Sequence, residues 1–272
     1  MARILVTGAS GEIGSSLRKL LPPFYPDLLL SDMKAPASLG TDEKFKPAEL
    51  SNLAQVEAIC EGVDGILHFG GYSVEGPWDS ILQSNIIGCY NLFEAAWKQG
   101  VKRIVFASSN HAVGFYPRHQ RIGTDVTARP DSRYGVSKVF GEALGALYAD
   151  KHGLKVTCLR IGNFGDRPID HRRLSIWLKP EDLVQLCRIG LDHPGIHFEI
   201  LYGASYNERA WWDNHRAYDL GYRPTGRAED FRDHALAAQA KLPPDRVSDF
   251  YQGGSFCGME FDGDASKIID WR

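Results

Sequence analysis

The chain has 272 residues with 43% hydrophobic and 24% charged side chains, the profile of an ordinary globular protein with room for one large α/β domain or two small ones. A formal net charge of −3 points away from nucleic acid and anionic membranes as partners. There is no charged-then-apolar leader and no long apolar run, and the five cysteines (Cys60, Cys89, Cys158, Cys187, Cys257) are scattered without metal-binding spacing, so the expectation is a cytoplasmic protein with reduced thiols and no metal.

Arg3-Ile-Leu-Val-Thr7 is a short run of branched apolar residues and predicts a buried strand. It leads straight into Gly8-Ala-Ser-Gly11-Glu-Ile-Gly14 and then a helical Ser-Ser-Leu-Arg-Lys-Leu-Leu that stops before Pro22 and Pro23. Strand, glycine turn and helix in succession is the context a dinucleotide loop requires. The glycines permit a tight turn and close backbone approach to a pyrophosphate, and the helix N-terminus adds amides and partial positive charge. Gly8, Gly11, Glu12, Ile13 and Gly14 are therefore candidate cofactor contacts. A second strand over residues 27–32 ends on Asp32, next to Met33. A carboxylate there accepts hydrogen bonds from the adenosine ribose and repels a 2′-phosphate, which favours NAD over NADP; Lys34 softens that preference.

Residues 33–50 read as an irregular surface loop, with Glu49 and Leu50 reaching the adenine edge. Residues 53–60 predict a helix. Residues 64–69 predict a third strand that runs into Gly70-Gly71-Tyr-Ser73, two glycines that let backbone lie against a cofactor and a serine that serves cofactor, substrate or simply the turn. The periodic run over 78–99 predicts a long helix with a broad apolar face, interrupted at Asn85, where a kink or a buried water near the catalytic lysine is expected, or merely a satisfied polar group. Residues 103–107 predict the fourth strand. Ser108, Ser109, Asn110 and His111 follow at its carboxyl end, the edge where open α/β sheets bind ligands.

A loop over residues 114–133 delivers Tyr134-Gly-Val-Ser-Lys138, and 140–151 completes that helix. Tyr134 and Lys138 lie one turn apart on one face. A free tyrosine is a poor base, with a pKa of about 10. A nearby ammonium favours the phenolate, and the pair can take a proton from an alcohol while hydride leaves the same carbon. Residues 154–159 predict the next strand, followed by Ile161 and Asn163. The order βαβαβαβαβ, with right-handed crossovers, gives an α/β fold with a doubly wound parallel sheet (Rossmann fold) and a small C-terminal substrate lobe. The whole chain reads as one extended domain, with 1–162 mainly the dinucleotide-binding core and 163–272 the last strand plus short substrate-binding segments. That remainder predicts a helix over 180–188, a strand over 198–202, a turn over 220–224 and a final helix over 228–241. Trp211 and Trp212 are expected to pack rather than to floor a sugar pocket.

Together, Gly8/Gly11/Gly14, Asp32, Asn85, Ser109, Tyr134 and Lys138 resemble the extended short-chain dehydrogenase/reductase superfamily. The blocks Gly70-Gly-Tyr-Ser-Val-Glu75, Ile81-Leu-Gln-Ser-Asn-Ile-Ile-Gly88, Phe106-Ala-Ser-Ser-Asn-His111, Ala128-Arg-Pro-Asp131, Tyr202-Gly-Ala-Ser205, Trp211-Trp-Asp-Asn214 and Gln252-Gly-Gly254 are similar to bacterial uronate dehydrogenases. That resemblance implies NAD-dependent oxidation of C1 of D-galacturonate or D-glucuronate to an aldarolactone. By the same resemblance, Tyr134 is the base, Lys138 lowers its pKa and holds the nicotinamide ribose, and Ser109 orients the C1 hydroxyl. Ser73, Asn110, His111 and Asn163 meet the sugar, and Asn85 and Ile161 belong to the cofactor site. Arg172 grips the C6 carboxylate, a planar guanidinium suiting a carboxylate. Asn163 replaces the serine found there in that family. Together with His111-Ala-Val-Gly114 it also resembles archaeal NAD-dependent glucose-6-phosphate dehydrogenases, so an aldose or sugar-phosphate dehydrogenase is the alternative, ahead of an epimerase or dehydratase and a non-catalytic NAD sensor. The superfamily implies a homodimer or larger homo-oligomer through the 78–99 and 131–151 helices.

Overall fold

The structure, a computed structural model, describes residues 2–268. Its strands are β1 (Arg3–Thr7), β2 (Asp27–Ser31), β3 (Lys44–Phe45), β4 (Gly65–His68), β5 (Arg103–Ser109), β6 (Lys155–Ile161), β7 (Asn163–Phe164), β8 (Trp177–Leu178) and β9 (Phe198–Gly203). Seven of them form one parallel sheet in the order β3-β2-β1-β4-β5-β6-β9, and β7 pairs with β8 beside it. The main helices are α1 (Glu12–Leu20), α2 (Leu53–Cys60), α3 (Trp78–Ile81), α4 (Gly88–Lys98), α5 (Arg133–His152), α6 (Arg173–Ile176) and α7 (Pro180–Asp192).

Strands of such a sheet are covered on both faces, which is why they read as unbroken apolar runs. Successive residues still face opposite ways. In β1, Ile4 and Val6 join the core that holds Leu17 of α1, Leu21 just after it and Leu186 of α7. Leu5 joins the core with Ile59, Phe93 and Leu144 from α2, α4 and α5. The doubly wound fold read from the sequence is the fold observed.

Three expectations need correction. Residues 33–50 are not wholly irregular, because β3 adds to the sheet edge, pairing Leu29 with Lys44 and Leu30 with Phe45; two residues are too few to show a period. The run over 78–99 is continuous but not uniformly α: Leu82–Ile87 is a π-helical segment between α3 and α4. It contains Asn85, whose side chain accepts from Tyr72 N (2.7 Å) and donates to Tyr72 O (2.9 Å) and Ser137 Oγ (3.0 Å). Such wide turns recur at functional sites, where they aim a side chain. The helix expected over 228–241 starts as a 3₁₀ turn, Ala228–Phe231, continues as Arg232–Gln239, and is not the last. After Pro243 and Pro244, Asp245 caps a further helix, Arg246–Phe250, by accepting from Ser248 N (2.9 Å), and Ser255–Gly258 follows. Trp212 packs as expected: it is buried, stacked on Tyr202 at 4.6 Å, and donates to Gln252 Oε1 (2.9 Å).

Candidate active site

Strand order reverses beside β1, and at such a switch point the carboxyl ends of parallel strands open a crevice. Here it is a cleft of about 610 Å³ over the ends of β1, β2, β4, β5 and β6. Of the expected site residues, Gly8, Gly11, Glu12, Ile13, Gly14, Asp32, Met33, Glu49, Leu50, Gly70, Gly71, Ser73, Ser109, Asn110, His111, Tyr134, Lys138, Ile161 and Asn163 all line it. Asn85 and Arg172 do not. Asn85 sits behind the wall, tying the turn after β4 to the first turns of α5 through Tyr72 and Ser137. Arg172 stands behind Asn110: with the Asn110 amide oriented by its neighbours, its nitrogen donates to Ile161 O (3.1 Å) and its oxygen accepts from Arg172 Nη2 (2.9 Å).

At one end, the β1–α1 turn is shaped for a dinucleotide. Gly8 has φ +71°, and a Cβ on it would lie 2.6 Å from the Phe69 carbonyl; a Cβ on Gly14 would lie 2.1 Å from Gly8 O. Only glycine fits either place, and the bare backbone leaves the amides of α1 open to a pyrophosphate. Asp32 Oδ2 accepts from Ser10 N (3.0 Å) and Oδ1 from Met33 N (2.7 Å), which fixes its carboxylate at the rim. This donor set fits NAD: an anion-binding turn beside a fixed carboxylate. Replacing Asp32 with Asn removes the charge that opposes a 2′-phosphate. We expect the ratio of kcat/KM with NADP to that with NAD to rise about tenfold or more, the equivalent of about 1.4 kcal/mol; initial rates with each cofactor check this.

His68 closes β4 beside this turn and is buried, its Nδ1 2.7 Å from Thr7 Oγ1. Thr7 Oγ1 also accepts from Gly70 N (3.2 Å), which ties the start of the turn after β4 to β1. Burial first, then the charge of Lys138, pushes the His68 pKa down to about 3. The unfolded chain takes up a proton below about pH 6.5 that the native state refuses until about pH 3, so stability falls as pH drops through that window, by at most about 1.4 kcal/mol per unit from this residue. Urea midpoints measured between pH 6.5 and 4.5 should fall less steeply in His68→Gln than in the wild type.

The other end holds Tyr134, Lys138 and Ser109. Ser132 caps α5 by accepting from Gly135 N (2.9 Å), and Glu75 accepts from Tyr134 N (2.9 Å) and Arg133 Nη1 (2.7 Å). A carboxylate at that terminus also meets the positive end of the helix dipole. Tyr134 is thereby held with its ring edge-on to His111 (5.8 Å) and Phe256 (6.1 Å). The Lys138 ammonium lies 5.3 Å from the Tyr134 ring centre and 5.2 Å from that of Phe106. At the end of β5, Ser109 Oγ accepts from His111 N (3.2 Å), and His111 Nδ1 is 2.7 Å from Asp131 Oδ2.

Several residues around this end have no role in the sequence reading. Glu75 and Asp131 lie within recognised blocks, but a carboxylate that holds a backbone amide or a ring leaves no spacing signal. Phe256 stacks on His111 at 3.9 Å, and Gln252 O accepts from Arg172 Nε (2.7 Å); both arrive from the far C-terminus by tertiary packing alone.

The model of the NAD dependent epimerase/dehydratase family matches residues 4–179. The chain belongs to that family. Over 256 residues it is 45% identical to a uronate dehydrogenase of Pseudomonas putida, covering 93% of this chain and 95% of that protein. Among solved structures of the family it is similar to a mutant of the Agrobacterium tumefaciens uronate dehydrogenase complexed with NAD, with a TM-score of 0.91 and 43% identity over 95% of this chain and 97% of that one. A NAD-dependent glucose-6-phosphate dehydrogenase of Haloferax volcanii is 36% identical, covering 84% and 95%.

Proposed function

We propose that this protein oxidises the C1 hydroxyl of a cyclic hexuronic acid, D-galacturonate or D-glucuronate, to an aldarolactone with NAD. Near-full-length similarity to uronate dehydrogenases supports the reaction, and one observation carries the choice of acid: Arg172, a cation held directly behind the cleft-lining Asn110. Among the described residues no carboxylate lies within ion-pair distance of it; it donates to the neutral Gln252 O and Asn110 Oδ1. Burial, with Arg173 and Arg118 nearby, lowers its pKa to about 10, still a cation at neutral pH. The charges of Asp170 and Asp131 act the other way without pairing with it, and a substrate carboxylate supplies that partner.

When bound, NAD accepts the hydride from C1. Tyr134 takes the C1 hydroxyl proton on its phenolic oxygen, with the Lys138 ammonium 5.3 Å from the ring centre on the same helix. Ser109 orients the hydroxyl, Lys138 also binds the nicotinamide ribose, and Ser73, Asn110, His111 and Asn163 hold the ring. Cyclic substrate gives a lactone directly, so no cysteine nucleophile is needed, in keeping with all five thiols being buried. Holding C1 close to the nicotinamide supplies much of the acceleration.

The test is NADH formation across D-galacturonate, D-glucuronate, D-galactose, D-glucose and glucose 6-phosphate. The expected result is uronate turnover with the neutral hexoses and the phosphate far behind. Preference for the phosphate would establish the second reading, which Asn163 and the Arg172-Arg173 pair favour. For assembly we infer a homodimer or larger homo-oligomer, supported by exposed Tyr90 and Trp97 on α4 and Leu147 on α5. The buried thiols suit the reducing cytoplasm.

A further inference from the structure

Asp131 precedes α5 and stays out of the cleft lining, yet its side chain is wholly buried. Oδ2 lies 2.7 Å from His111 Nδ1 and 3.8 Å from Cys257 Sγ, Oδ1 accepts from Ser132 Oγ (2.7 Å), and the backbone N–H donates to His111 O (3.3 Å). Two glycines from distant segments make the space. A Cβ on Gly114 would stand 1.8 Å from Oδ2 and one on Gly253 1.9 Å, and Gly253 N donates to Gly114 O (2.8 Å). The carboxylate is thus enclosed, and its orientation fixed, by two segments that also pair with each other through Gln252 N to Tyr116 O (2.9 Å).

An ionised carboxylate only accepts, so His111 carries a proton on Nδ1. Burial lowers the His111 pKa; Asp131 and Glu75 pull the other way, and Arg172 adds to the lowering. The ring is further fixed by Phe256 stacked on it and Tyr134 at its edge. Nε2 remains, with no protein partner among the described residues, on a side chain that lines the cleft.

We propose that Asp131 is a positioning residue of the sugar site: by binding the Nδ1 proton it presents His111 Nε2 to the substrate as an acceptor, so that the ring reads a sugar hydroxyl and leaves the carboxylate to Arg172. The inference rests on the hexuronate reading above. Its consequence is polarity. A protonated ring would be a second cation in one pocket, and the acid could then bind either way round. A neutral acceptor gives it a single orientation, with C1 toward Tyr134.

Asp131→Asn keeps the shape but offers an amide that can donate to Nδ1 and reverse the tautomer. We expect the KM for D-galacturonate to rise about tenfold or more while NAD affinity changes less than twofold, and the same substitution in a His111→Ala background to change KM hardly at all. Additive losses, or an unchanged KM in the single variant, would overturn the proposal. ¹⁵N-histidine NMR of the full-length protein gives a readout that needs no substrate. It should show His111 as the neutral Nδ1–H form in wild type and as Nε2–H in Asp131→Asn. An imidazolium or an Nε2–H signal in wild type overturns the proposal even if the variant fails to fold. An Nδ1–H signal in an enzyme that ignores hexuronates would instead remove the substrate reading and leave the geometry standing.

Discussion

Tyr134→Phe should bind NAD as the wild type does and turn over D-galacturonate about 10³-fold more slowly, the middle of the range for loss of a general acid–base group. The variant removes one oxygen and keeps the ring. Contacts with His111 and Phe256 survive, as does the hydrogen bond from the backbone N–H to Glu75, and the glycine turn before α1 is untouched. The loss should therefore fall on kcat, measured as NADH formation with both substrates saturating, while NAD affinity by titration stays level. Turnover within tenfold of wild type would remove Tyr134 as the base.

Arg172→Ala should act on a different constant. A charged, partly buried hydrogen-bonding partner of a carboxylate contributes about 2–4 kcal/mol, so kcat/KM for D-galacturonate should fall about 30- to 1,000-fold, mostly through KM. D-Galactose lacks the carboxylate and should be nearly indifferent to the change. The diagnostic quantity is therefore the acid-to-neutral ratio, large in the wild type and close to one in the variant. Absence of that preference in the wild type would refute the clamp. Arg172 Nε also holds Gln252 O, so the thermal midpoint is needed alongside to separate binding from loosened packing.

The parts of this molecule that were legible in sequence are those where chemistry forces a local pattern. Gly8 and Gly14 must be glycine because backbone crosses backbone there, and β1 must be apolar because it is covered twice. Tyr134 and Lys138 are readable because a helix fixes their relation. Asn85 shows the limit of such reading: its break in the apolar face is visible and admits a kink, a buried water or a satisfied polar group, but nothing in the sequence names Tyr72 and Ser137 as the partners that satisfy it. β3 is too short to carry a pattern. Asp131, Phe256 and Gln252 reach the Tyr134 end of the cleft only through contacts between segments eighty or more residues apart or through a buried carboxylate, and neither leaves a period to detect.

The π-helical stretch Leu82–Ile87 holds one residue more than an α-helix would need to cover the same path. Excising Asn85, which lies outside the cleft lining, would let the run from Trp78 onward wind as one regular α-helix. The sheet would be untouched, yet the tether from Tyr72 after β4 to Ser137 of α5 would be cut. A one-codon deletion at that position should therefore be a lesion of alignment rather than of composition.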